Sequence, residues 1–254
     1  MYLLRTAMKH KINSTFFAPI IILVRPQLAE NIGMVARAMM NCGLSELRLV
    51  APKKSCLSKE ALSAASGAQV ILEQAKVYDT LDGAIEDVEY LMATTARGRG
   101  MNKPVVQPAE AVKILKEKVF QKQNVGILFG PERTGLENDD IIFANSLLTI
   151  PLNPLHPSLN LAQAVLLVGW CWWQESLTKV KGIKVQGIAS KKELDFFLKF
   201  LIERLENKNY FSIENKKEKM QQNLKNIFTK SLLTSSEIKT LYRVIKRLCN
   251  GTLK

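Results

Sequence analysis

Five short, mainly apolar runs constrain this chain most: Ile20–Val24 (IIILV), Leu47–Val50 (LRLV), Tyr90–Thr94 (YLMAT), Val125–Phe129 (VGILF) and 147–150 (LLTI). The first is continuously apolar, and so has no solvent face to offer. Such a strand is satisfied in the middle of a parallel sheet with helices on both sides. Helical patterns separate the runs. Residues 30–41 place Ile32, Val35, Ala36, Met39 and Met40 at helical spacing, and Cys42-Gly43 closes that helix. Further helices are expected over 59–66, Leu81–Ile85 and 109–120, and a minor strand over Lys76–Tyr78. Five or six strands alternating with helices predict a three-layer α/β domain with a parallel sheet over residues 19–178.

The chain changes character near Thr178. Residues 179–190 are polar, basic and aperiodic, as a linker is. Beyond them Leu194, Phe197, Leu198, Leu201, Ile202 and Leu205 form one helical stripe. Leu224, Ile227 and Phe228 form a second cluster, and Leu241, Val244, Ile245 and Leu248 a third, entered through a capping box of Thr234 and Glu237. Residues 191–254 therefore read as a small helical domain, and residues 1–18 as an N-terminal arm. Charge follows the same division. Of a net +13, residues 181–254 carry 17 Lys and Arg against 7 Asp and Glu. A segment so basic and so poor in aromatics suits contact with phosphates more than stacking on bases.

Composition also excludes some classes. Cys42, Cys56, Cys171 and Cys249 form no Cys-x-x-Cys pair, and His10 and His156 are the only histidines. No metal site and no disulfide framework is expected, which fits a reducing cytoplasm. No window is apolar for long enough to span a membrane, so none is expected to.

The stretch with the most chemistry runs from Asn124 to Trp173. The strand Val125–Phe129 leads into Gly-Pro-Glu-Arg-Thr-Gly (130–135), then a short polar helix begun by Glu137. The apolar run 147–150 then gives way to a loop holding Pro151, Pro154 and Pro157, with Ser158 heading a long apolar helix. Strand ends, glycines and prolines in this order can hold a ligand on backbone groups. Leu136 and Glu137 stand where a phosphate-binding P-loop needs Lys and Ser/Thr, and no Gly-x-Gly-x-x-Gly occurs. Near the start of the first helix, Asn31, Gly33 and Arg37 are read as sharing one surface. Singly, Asn31 and Ser158 read as helix caps and Arg37 as a solvated charge.

In order, NIGMVARA (31–38), FGPERTGL (129–136) and PSLNLAQAV (157–165) resemble the three signature motifs of the SpoU/TrmH family, RNA ribose 2′-O-methyltransferases of the SPOUT class. The basic helical tail is similar to that of the TrmJ branch, tRNA methyltransferases acting on anticodon-loop nucleotide 32. The resemblance implies a SPOUT domain with a C-terminal trefoil knot and a homodimer that acts on tRNA without metal. It implies S-adenosylmethionine held by Thr94, Thr95 and Ala96, by Gly130, and by Ile150, Pro157, Ser158 and Leu159. Arg37 would position the ribose hydroxyl and stabilise developing alkoxide, with Asn31 orienting it. Ser158 would grip the target phosphate, and Glu132, Arg133 and Asn160 would shape the site and bind RNA. The alternatives are the same reaction on ribosomal RNA, or a non-catalytic RNA-binding protein on this scaffold.

Overall fold

The computed structural model describes residues 18–96, 102–176, 187–211 and 214–250. Nearly all of the expected N-terminal arm and most of the expected linker lie outside these residues. Strands β1 (Ile20–Val24), β2 (Leu47–Val50), β3 (Lys76–Tyr78), β4 (Tyr90–Thr94), β5 (Val105–Val106), β6 (Val125–Phe129) and β7 (Ser146–Leu148) form one sheet in the order β3-β2-β1-β6-β4-β7-β5. Every pairing is parallel. All C-terminal strand ends therefore lie on one edge, where crossovers leave room for a ligand.

The side chains of β1 show how the layers arise. Ile21 and Leu23 face a core shared with α1 (Ala29–Asn41), α2 (Lys59–Ala65), α3 (Gln69–Glu73), α5 (Pro108–Phe120) and α7 (Leu161–Ser176). Ile20, Ile22 and Val24 face the other way, onto α4 (Leu81–Ile85) and α6 (Asn138–Ile141). Arg48, the polar member of β2, is 2% exposed. Its guanidinium donates to Ala84 O, Asp87 and Glu46, so its charge is paired within the fold.

A third apolar cluster joins α8 (Lys191–Glu206), α9 (Glu214–Lys230) and α10 (Ser235–Asn250). Leu194, Phe197, Leu198 and Leu201 are buried there, and the Phe197 and Phe228 rings meet edge to face at 5.1 Å. The Thr234–Glu237 capping box forms as expected.

Several expectations need correction. The sheet has seven strands rather than five or six; β5, at two residues, carries no periodicity to read. Strand β7 stops at Leu148, so Ile150 belongs to the loop. Ile227, Val244 and Leu248 are exposed rather than packed, because α9 and α10 turn only part of their apolar faces inward. Asn31 and Arg37 do not share a surface: six residues on a helix is 240° of rotation, which buries Asn31 and exposes Arg37.

Candidate active site

A cleft of about 240 Å³ opens at the C-terminal ends of β4, β6 and β7. The β4 end contributes Thr94, Thr95 and Ala96, the glycine turn contributes residues 130–136, and the proline loop contributes Ile150, Leu152, Pro157, Ser158 and Leu159. The Thr94 hydroxyl donates to Leu128 O at 2.9 Å, and Thr95 N donates to Leu148 O at 3.0 Å, which tie the first loop to both neighbouring strands.

The glycine turn can close only because of its glycines. A Cβ on Gly130 would lie 2.2 Å from Leu136 N, and Gly135 sits at φ +67°, in the left-handed region. The turn is braced from β1. Arg25, itself left-handed at φ 49°, donates from both terminal nitrogens to Asp140 at 3.0 and 2.6 Å. Asp140 also accepts from Glu137 N at 2.8 Å, completing the capping box of α6.

Glu132 links the turn to the first helix. Its carboxylate accepts from Gln27 N at 2.9 Å, Leu28 N at 3.1 Å and Asn31 Nδ2 at 2.9 Å. Leu28 occupies the cap position of α1 and has no capping side chain, so Glu132 caps α1 from a hundred residues away. Burial alone would raise its pKa, but these donors outweigh burial and hold the carboxyl below its usual range. Glu132 is thus an ionised bracket with its acceptors engaged.

Asn31 extends the chain of bonds. Its Oδ1 accepts from Asn160 Nδ2 at 3.0 Å, and Asn160 Oδ1 accepts from Ala162 N at 2.9 Å and Gln163 N at 3.4 Å. Asn160, not Ser158, caps α7, and Asn31 caps no helix. Ser158 stands exposed on the cleft wall, ahead of the helix it was expected to head. Three segments far apart in sequence are therefore joined through Glu132, Asn31 and Asn160.

Arg37 lies outside this cleft. It is exposed on α1, between Met34 and Met40, and makes no hydrogen bond or ion pair among the described residues. Arg133 is exposed at the cleft wall. The bracing pair Arg25–Asp140 was not anticipated: 115 residues separate the partners, and no local pattern marks them. Among the described residues no three His, Cys, Asp or Glu side chains converge as metal ligands, and no helix is long and apolar enough to cross a membrane.

A family model described as the SpoU rRNA Methylase family matches residues 18–170. This chain belongs to that family. Family relatives extend the match beyond the sheet. The tRNA (cytidine-2′-O-)-methyltransferase TrmJ of Methanocaldococcus jannaschii is 34% identical over 231 residues, covering 89% of this chain and 97% of its own. The tRNA (cytidine/uridine/adenosine-2′-O-)-methyltransferase TrmJ of Pseudomonas aeruginosa is 30% identical, covering 89% and 91%. The crystal structure of TrmJ from Z. mobilis ZM4 superposes with a TM-score of 0.82 at 44% identity, covering 91% of this chain and 99% of that one. As in the SpoU family's RNA methylases, the seven-stranded sheet and its flanking helices form the SPOUT architecture.

Proposed function

We propose that this SpoU-family chain is an S-adenosylmethionine-dependent tRNA ribose 2′-O-methyltransferase acting at nucleotide 32 of the anticodon loop. The observation that carries the reading is the similarity to TrmJ proteins, which runs through the sheet and on through the basic tail. In this reading residues 19–178 are catalytic and carry the family's trefoil knot, 179–190 link, and 191–254 bind RNA.

The cleft suits the cofactor. Ile150, Leu152 and Leu159 give it an apolar wall, Thr94 and Thr95 give it hydroxyls, and Gly130 brings backbone close. Among the described residues its charged lining is Glu132 and Arg133, and Glu132 is engaged with α1, so these residues do not form a polyphosphate cradle. When bound, S-adenosylmethionine supplies an electrophilic methyl group on sulfonium. Thr94, Thr95, Gly130, Ile150 and Leu159 would hold it, with Ser158 and Arg133 at the RNA side. Arg37 would orient the 2′-hydroxyl and stabilise the alkoxide; a guanidinium keeps its proton near neutral pH and does not serve as the base.

Arg37 is not among the residues that line the cleft of its own chain, which favours its meeting this chemistry from a second chain. On α1 and α7, which pack together, Met34, Met40, Leu166, Leu167, Trp170 and Trp173 are all exposed, and Trp170 is 55% exposed. An apolar surface of this kind supports a homodimer in which Arg37 of one protomer faces the cleft of its partner. Solubility of such a dimer in the cytoplasm belongs to the same proposal.

The test is methyl transfer from labelled S-adenosylmethionine to total tRNA and, separately, to ribosomal RNA, with nuclease mapping. A single 2′-O-methyl group at nucleotide 32 is expected. Label in ribosomal RNA alone would move the substrate to the one in the family's name. Cofactor binding with no transfer to either would favour the non-catalytic alternative.

A further inference from the structure

The tail meets the sheet through a buried polar junction that the methyl-transfer site does not use. Its centre is Asn145, 4% exposed, immediately before β7. Asn145 Oδ1 accepts from Leu91 N of β4 at 2.8 Å and from Lys191 Nζ of α8 at 2.5 Å. Its Nδ2 donates to Thr229 O of α9 at 2.8 Å. One side chain thus joins two site strands to two tail helices. Around it, Lys191 N donates to Val88 O at 2.9 Å and Lys192 N to Glu86 O at 3.1 Å, so first-turn amides of α8 are satisfied by the loop before β4. Lys103, also buried, donates to Ile142 O and Ala144 O and fixes the turn that presents Asn145.

Apolar side chains would have joined the two parts without desolvating an amide and two amines. What the polar junction adds is direction: its donors and acceptors match in one orientation and are left unsatisfied in others. The amines have little counter-charge. Burial, with Lys103 alongside, lowers Lys191 to about 7, and burial with Lys230 nearby lowers Lys103 to about 8. Strand β7 is three residues long, about 10 Å at 3.3 Å per residue. Its other end opens into the cleft at Ile150.

We infer that Asn145 is a positioning residue that sets the angle between the tail and the cleft, and thereby selects which ribose of the bound RNA reaches the methyl group. The inference rests on reading the tail as the RNA-binding part, and it concerns neither cofactor contact nor chemistry.

The experiment compares wild type, Asn145→Ala and Asn145→Asp in the full-length protein. Asn145→Asp keeps both acceptor contacts, gives Lys191 a counter-charge and sets an oxygen against Thr229 O. It thus breaks the tie to α9 alone, read by quickened amide exchange in the last turn of α9, and it carries the test if Asn145→Ala does not fold. In Asn145→Ala, amide exchange at Lys191 and Lys192 should quicken at least tenfold; in both variants S-adenosylmethionine affinity is unchanged and tRNA affinity altered by less than about threefold. Meanwhile kcat/KM on tRNA drops by about tenfold, the scale of one buried hydrogen bond, and the methyl group spreads to neighbouring nucleotides. A variant that loosens the tail yet methylates the same nucleotide at the wild-type rate overturns the inference, as does unchanged amide exchange. Wild type that leaves tRNA unmethylated would instead remove the substrate reading. Amide exchange would then decide alone whether Asn145 sets the docking.

Discussion

Replacing Glu132 by glutamine keeps the shape of the side chain and removes one of its two acceptor oxygens. An N–H would then confront an N–H of Gln27 or Leu28 at the start of α1. The expected loss is about 1 kcal/mol, the scale of one hydrogen bond at a place water partly reaches. Its pH dependence follows from the depressed carboxyl pKa in the folded chain. The stabilisation is complete above the ordinary glutamate pKa of about 4.3 and is lost as pH falls through the lower folded value. Thermal unfolding of wild type and Glu132→Gln should therefore differ at pH 7 and converge as the pH drops below about 4. A constant gap across that range would deny the carboxylate its role. Arg37 is the opposite kind of residue, exposed and, among the described residues, uncommitted. Arg37→Ala should lower methyl transfer by about 10² or more with S-adenosylmethionine affinity intact by calorimetry. Lost cofactor binding would mean the arginine supports the cleft instead.

At the level of elements, α1 is held along its first two turns by features of different visibility. Its Gly33 abuts α2: a Cβ there would lie 2.1 Å from Ala61 O, a backbone atom that cannot turn aside. Gly33→Ala should push the two helices apart, cost about 1–3 kcal/mol as overpacking does, and carry Asn31 away from Asn160. Urea unfolding reads the first effect, and an unchanged midpoint would contradict the close approach. The helix itself was legible from apolar spacing, and strands β1, β4 and β6 from uninterrupted runs. The first turn of α7 was not. Pro-Ser-Leu-Asn offers two good capping residues two apart, and sequence alone does not say that Asn160 takes the amides while Ser158 is left on the cleft wall. Glu132 as the cap of α1, and Arg25 as the brace for α6, escaped for another reason: periodicity reports near neighbours, and these partners are more than a hundred residues apart. The cleft residues were anticipated through motif resemblance, and the bonds that arrange them were not.

For the molecule as a whole, two surfaces make separate predictions. Trp170→Glu places a charge in the exposed apolar face of α7. It should yield monomers by light scattering, with helical content kept and methyl transfer abolished; an active monomer would place Arg37's work elsewhere. Ending the chain after Thr178 removes most of the excess positive charge. RNA affinity should fall, and the slope of log affinity against log salt should flatten by about one for each phosphate that is no longer neutralised. An unchanged slope would show that the tail is not the electrostatic handle. The strand order bears on how such a molecule comes into being. Ile127 of β6 pairs with Ile21 of β1 on one side and Met92 of β4 on the other. A ribosome that has delivered β1 to β5 has therefore delivered one paired fragment, β3-β2-β1, and two lone strands, β4 and β5, with nothing yet to join them. Their open edges wait for the centre of the sheet, which is translated after them. Pairings this distant in sequence form slowly, and open edges are the sites at which nascent chains stick to one another. Synthesis that stalls just before Val125 should leave this chain at its most aggregation-prone, and slower codons placed after β7 should do little harm by comparison.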